Sequence, residues 1–124
     1  MSDEHDDETA DQLAFALVTH ARFAWREGMR DHLGRRIVDP SLVPPVTGDD
    51  PTRPDLSDMA TAGLLLEAID QLGVLTDVVR AEGEWIVAVD LPSELKGFAA
   101  DVLGEAAAYA LLEAWAELGA AASE

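Results

Sequence analysis

The chain has 124 residues, with 48% hydrophobic residues, a formal net charge of −17 and no cysteine. That is the size of one ordinary domain, and the missing thiols exclude disulfides, thiolate metal centres and cysteine nucleophiles. The charge repels free nucleic acid and anionic membrane at long range and favours basic protein surfaces.

The start is acidic: residues 1–11 carry six acids and no Lys or Arg. Residues 1–8 read as a disordered acidic tail, polar and without apolar anchors, and residues 9–124 as a single α/β domain. This start lacks the basic and apolar regions of a secretory signal. No apolar run approaches the roughly 18 residues that span a bilayer. A cytoplasmic protein with no membrane contact is expected.

Thr9 followed by Gln12 is a capping-box pattern and predicts a long helix to about Leu33. Leu13, Ala16, Leu17, Ala21, Phe23 and Ala24 are spaced for one broad apolar face. Arg22, Arg26 and Arg30 recur every four residues and predict a stripe on another face, which Arg35 and Arg36 extend beyond a stop at Gly34. These five arginines are the candidate anion-binding residues, for a nucleotide phosphate or the acidic patch of another protein. The plainer alternative is that they neutralise acids of the same chain. His20 reads as a hydrogen-bonded core or interface residue. It is too far from His32 along a helix to share a metal with it, at about 18 Å.

Five of the six prolines fall in residues 37–56, which predicts an extended connection rather than an element. Ile37, Leu42, Val43 and Val46 are its candidate apolar anchors. Asp49 and Asp50, with Asp55 and Asp58 nearby, lack the glycine and bidentate glutamate of a calcium loop. Asp55 or Ser57 is expected to cap a second helix, Asp58 to Leu72, whose Met59, Ala62, Leu65, Leu66, Ile69 and Leu72 follow helical spacing; Gly73 sits where a C′ glycine belongs.

The period then changes to two. Val74–Ala81 and Glu84–Asp90 flank Glu82-Gly83 and predict a hairpin. The register sets Arg80 opposite Trp85, Val78 opposite Val87 and Thr76 opposite Val89, on the face expected to be core. The other face pairs Val79 with Ile86 and carries Asp77, Glu84 and Asp90. Arg80 and Trp85 offer a cation–π contact, although two independent rim residues are the expectation. A lone hairpin is marginal, so a third strand from residues 37–46 or from a partner is anticipated, unless helices cover it.

Pro92-Ser93-Glu94-Leu95 reads as a helix start, leading into an alanine-rich helix from Phe98 to about Leu118. It is apolar nearly all round, hence central or shared between subunits. Asp101/Glu105 and Glu113/Glu117 are carboxylate pairs at i, i+4, able to hold a cation but more simply a solvated face.

Residues 54–116, from Pro54-Asp55-Leu56-Ser57-Asp58-Met59-Ala60 through Leu64-Leu65-Leu66-Glu67-Ala68-Ile69-Asp70-Gln71-Leu72, the Trp85 hairpin and the Ala99–Ala114 helix, resemble the phage ABA-sandwich domain family. The chain departs from that family in its Arg-bearing N-terminal segment and in having no cysteine or arginine in the last helix. The resemblance implies an α-β-α layered domain of phage or prophage origin and offers no catalytic residues.

The fold expected is therefore α+β, a small α-β-α layered domain with an antiparallel hairpin covered by helices. No Ser-His-Asp constellation, glycine-rich phosphate loop or HExxH pattern is present, and neither an enzyme nor a cofactor is expected. The leading functional expectation is a homo-oligomeric acidic interaction protein that binds a basic protein surface, with Trp25, Trp85, Tyr109 and Trp115 as interface candidates. The alternatives are an oligomeric nucleotide- or anion-sequestering protein using the arginines, and a structural assembly component.

Overall fold

The computed structural model describes residues 2–20, 22–42 and 52–122. Three helices, α1 (Ser2–Thr19), α2 (Met59–Gln71) and α3 (Leu103–Ala122), accompany three strands, β1 (Leu75–Ala81), β2 (Glu84–Asp90) and β3 (Leu95–Ala100). The strands form one antiparallel sheet in the order β1-β2-β3. The α+β expectation holds.

α3 is the axis of the domain. Ala106, Ala107, Ala108 and Ala110 have no exposed surface, and Leu111, Ala114 and Trp115 are buried beside them. Successive helical residues point about 100° apart, so burial at 106, 107, 108 and 110 covers more than half of the circumference and leaves an exposed strip at Tyr109 and Ala116. The sheet packs on α3 through β2 and β3, α2 packs along it, and α1 packs on it without touching the strands. α1 contributes Leu13, Ala14, Leu17 and Val18, the i, i+1, i+4, i+5 spacing of one narrow apolar stripe.

α2 stops before Gly73 as expected, but its cap is Asp58 rather than Asp55 or Ser57, whose side chains bond to each other in the turn before it. The Asp58 carboxylate accepts the Thr61 backbone N–H, and Gly73 follows Leu72 with a φ of +79°. The hairpin turn is Glu82-Gly83, both in left-handed conformation (φ 53° and 83°), which suits a two-residue hairpin turn. Arg80 pairs with Trp85, Val78 with Val87 and Val79 with Ile86, as anticipated. The register then shifts between Leu75 and Asp77, so Val89 faces Leu75 rather than Thr76. Val87 and Val89 are fully buried, and their face is the one packed on α3.

Three expectations are corrected. The first helix does not run to Leu33 but ends at Thr19, whose hydroxyl donates back to the Phe15 carbonyl at 2.8 Å. The His20 ring stacks on Trp115 with centroids 4.5 Å apart, and its Nδ1 accepts the Arg22 backbone N–H. Gly28 and Gly34 adopt φ of +100° and +89°, which a continuing helix does not allow. At the other end the helix takes in residues 2–8, the stretch with a tail-like composition.

The second correction is the third strand. It is Leu95–Ala100, in place of the helix start expected at Pro92, and the described part of residues 37–46, residues 37–42, adds no strand to the sheet. The Leu91 N–H donates to the Glu94 carbonyl at 3.0 Å, turning the chain back beside β2. Lys96, Phe98 and Ala100 then alternate toward α3, while Leu95, Gly97 and Ala99 point away. The third follows from it: α3 begins at Leu103 and Phe98 lies in the sheet. Of the proline-rich connection, Pro40–Leu42 is a 3-10 turn and Ile37 is buried; Val43, Val46, Asp49 and Asp50 lie outside the described residues.

The entry to α3 fixes the spacing between it and the segment before α2. A Cβ built on Gly104 would stand 1.9 Å from the Leu56 carbonyl oxygen and 2.7 Å from its carbon. Both are backbone atoms and cannot swing away. Gly63, exposed on α2, has nothing within 4 Å of such a Cβ. We therefore expect Gly104→Ala to destabilise the domain by about 3 kcal/mol or more through overpacking. Gly63→Ala is expected to stabilise it by about 0.5–1 kcal/mol. Urea unfolding of the two variants checks both signs.

Candidate functional site

Arg22, Arg26 and Arg30, expected to share a helix face, are placed instead with Arg35 and Arg36 along the irregular segment between α1 and α2. That segment is held together by short bridges, Arg30 to Arg36 and Asp31 to Pro54. Residues 31–35 wrap around the Asp31 carboxylate, which is 2% exposed. Its Oδ1 accepts the N–H groups of Leu33 (3.0 Å) and Arg35 (2.8 Å), and its Oδ2 accepts Arg35 Nε at 2.9 Å. Burial pushes this carboxyl up, but the Arg35 N–H, the Arg35 guanidinium and the Leu33 N–H outweigh it and hold Asp31 below the ordinary aspartate value.

The loop is also tied to α2. Thr61, fully buried, accepts the Arg30 N–H at 2.8 Å and donates to Asp58 Oδ2 at 2.9 Å. Arg36 forks onto Asp58, with Nη1 at 2.7 Å from Oδ2 and Nη2 at 3.3 Å from Oδ1. The Arg36 hydrogen bond is the main cause that holds Asp58 below its usual range; burial opposes it and the two Thr61 donors assist. His32 exchanges backbone and ring contacts with Arg53: its N–H donates to the Arg53 carbonyl at 2.7 Å, and its Nδ1 accepts the Arg53 N–H at 3.1 Å.

The arginines are therefore dispersed and mostly spent inside the chain. Arg26 contacts Glu67 and Gln71, Arg30 lies 3.8 Å from Asp55, and Arg53 lies 2.9 Å from Asp11. Exposed pairs of this kind are worth about 0–1 kcal/mol each, while the nearly buried Asp31 and Asp58 carry more. The expected five-arginine strip is not one surface. Arg22 lines a cleft of its own, described below, and has no ion pair among the described residues.

The chain's only lysine resolves one acidic pair. Lys96 projects from the α3-facing side of β3 and sits 3.2 Å from Glu113, 3.7 Å from Glu117 and 3.8 Å from Glu94. The Glu113/Glu117 pair thus holds an ammonium of its own chain rather than a free cation. The Asp101/Glu105 pair is placed differently. With Glu84 and Tyr109 it lines a shallow notch of about 290 Å³. Among the described residues no group of three or more His, Asp or Glu side chains is placed to hold a metal ion.

The aromatic candidates separate. Trp115 is 7% exposed and belongs to the core, stacked on His20. Trp25 packs edge-on against Phe23, and Trp85 lies beneath Arg80, whose guanidinium carbon is 5.3 Å from the ring centroid. The cation–π contact, weighed against two independent rim residues, is thus formed. Tyr109 is 38% exposed.

Sequence reasoning passed over the outer face of the sheet. Val79, Ala81, Ile86, Ala88, Leu95, Gly97 and Ala99 share it by register, and no helix packs there among the described residues. Val79 is 41% and Leu95 67% exposed. Asp77, Glu84 and Asp90, all exposed, stand on the same face. The signal was available in the alternation of 84–90, but only the third strand makes the patch wide. No helix among the described residues is long and apolar enough to cross a membrane. Comparison with family models, curated proteins and solved structures finds no match.

The lowered Asp31 and Asp58 values set an acid limit on stability. A carboxyl with a depressed folded-state pKa contributes stability that is complete above its unfolded value, about 3.9. That contribution is lost as pH falls through the folded value. Asp58→Ala is expected to cost about 1–2 kcal/mol at pH 7 through the cap and its ion pair. Asp31→Asn and Asp58→Asn are each expected to flatten the fall in stability between pH 4 and pH 2, measured by urea unfolding across that range.

Proposed function

We propose that this chain is a non-enzymatic acidic interaction protein that binds a basic protein surface. The observation that carries the reading is the open sheet face, an apolar strip rimmed by carboxylates. Its strand ends at Glu84 and Ala99 adjoin the notch of Glu84, Asp101, Glu105 and Tyr109. A basic amphipathic helix complements both parts. Its apolar side covers Val79, Ile86 and Leu95, and a Lys or Arg enters the notch beside an aromatic ring.

Charge complementarity selects the partner. Internal pairing takes up most of the arginines and the lysine, so the excess of acids is left on the outside. Stacking two copies face to face would bring like-charged rims together, which favours a foreign basic partner over self-pairing at this face. A nucleic-acid-binding protein is one such partner, and the acidic rim would occupy its basic face by charge mimicry. Kinship with phage ABA-sandwich domains is a part of the proposal that rests on the helix, hairpin and alanine-rich helix order over residues 54–116 alone, since no helix among the described residues forms the second outer layer.

The test is calorimetric titration with a synthetic amphipathic Leu/Lys helix, against its Leu/Glu counterpart and oligolysine. The Leu/Lys peptide is expected to bind and to weaken tenfold or more between about 0.05 M and 0.5 M salt, as screening shortens the reach of charge. Val79→Asp is expected to abolish binding. Equal binding of oligolysine, no salt dependence, or full binding by Val79→Asp would each dismiss the reading. A dimer in sedimentation that Val79→Asp dissolves would reassign the face to self-association.

A further inference from the structure

The cleft lined by Arg22 lies away from the sheet, between the segment after α1, the end of α2 and the middle of α3. Its volume is about 250 Å³. That is just below the roughly 300–1,000 Å³ of sites for drug-sized ligands, so it suits a compact molecule. Met29, Leu65 and Leu111, each 1% exposed, and Trp115 are among its lining residues. They present an apolar base. Arg22 and Arg26 also line it.

The charges there are unequal. Arg26 has Glu67 3.4 Å away and the Gln71 side-chain carbonyl on its second nitrogen. It is already neutralised and held in place. Arg22 is exposed and has no ion pair among the described residues. The C-terminal end of α2, at Gln71 and Leu72, adds a partial negative charge at the rim. Two cations against one carboxylate and a helix end leave at most a single positive charge to be matched. A dianionic phosphate would exceed it, and a monoanionic carboxylate fits it. The planar fork of arginine also matches the two oxygens of a carboxylate.

We propose that this cleft is a binding site for a compact carboxylate with an apolar body. The carboxylate is taken by Arg22, with Arg26 as the fixed second donor. The hydrocarbon or ring rests against Leu65, Leu111 and Trp115. The site is independent of the open sheet face, and each stands or falls separately.

The experiment is calorimetric titration of the full chain with hexanoate and indole-3-acetate. Hexanamide and indole-3-acetamide serve as uncharged analogues, and inorganic phosphate as an anion without an apolar body. The carboxylates are expected to bind with a Kd below about 1 mM, the amides at least tenfold more weakly, and phosphate not measurably. Arg22→Gln removes a charge-assisted contact and is expected to weaken carboxylate binding by about tenfold to a hundredfold. Its side chain is exposed and has no ion pair to lose, so the fold is retained, checked by an unchanged unfolding midpoint. Arg80→Gln, outside the cleft, is expected to bind as the parent does. Amides that bind as well as the acids, phosphate that binds as well as hexanoate, an unaffected Arg22→Gln variant, or no binding by any carboxylate would each overturn the proposal.

Discussion

Burial of α3 over most of its circumference is the constraint from which the rest of the architecture follows. A helix with alanine at positions 106, 107, 108, 110 and 114 has little side-chain surface of its own to offer. Its contribution is close approach. Short side chains let α1, α2 and the sheet come near its backbone at once, and dense contact between neighbours is where packing energy arises. Gly104 shows the limit, since its Cα faces the Leu56 carbonyl with no room for a methyl group. Every other element is a coat on this rod, and each buries one face. The sheet turns its Val87 and Val89 side to α3 and is left with a second side that no helix in the described structure covers.

That geometry explains why the charges are arranged as they are. The segment between α1 and α2 has almost no regular structure, so its backbone polar groups need partners from side chains. Asp31 supplies three acceptor contacts to residues 33 and 35, and Thr61 and Asp58 supply the link to α2. Arginines are used here as local struts on nearly buried carboxylates. Breaking such a pair from one side leaves a buried charge without compensation, which ties the segment to one conformation. In these pairs the carboxylate is the buried member and the arginine stays partly exposed, at 65% for Arg35 and 47% for Arg36, so each arginine is neutralised in place by its own chain.

The sequence was most legible where local rules and tertiary packing agree. α2 has helical spacing and a terminal glycine, with its cap displaced from Asp55 or Ser57 to Asp58, and the hairpin has a turn pair that favours left-handed backbone and alternating apolar residues. Both appear within a residue or two of their expected places. Where local rules conflict with packing, the reading failed. Arg22, Arg26 and Arg30 have helical spacing, but the stacking of His20 on Trp115, 95 residues away, ends the helix first. Pro92 resembles a helix start, but the Leu91–Glu94 turn delivers residues 95–100 to the free edge of β2, and ladder bonds outweigh the propensity of a short segment. The notch and the cleft were not legible, because each joins residues from elements whose relative placement no periodicity encodes. The individual participants Arg22, Arg26, Trp115 and Tyr109 were visible as candidates, but in the wrong groupings.

An open three-stranded sheet with an apolar outer face and two free edges is ordinarily an invitation to self-association. Here the same carboxylates that rim the face oppose it. Asp77, Glu84 and Asp90 stand on that face, and the whole chain carries a large net negative charge. Two copies approaching edge to edge or face to face must bring these charges together with no basic residue on the face to offset them. A partner with the opposite charge meets attraction from the same groups at the same distances. In the proposed role, repulsion between like copies and attraction for a basic partner have one cause, and the acidity that opposes stacking of the exposed sheet on itself is also what would make it selective.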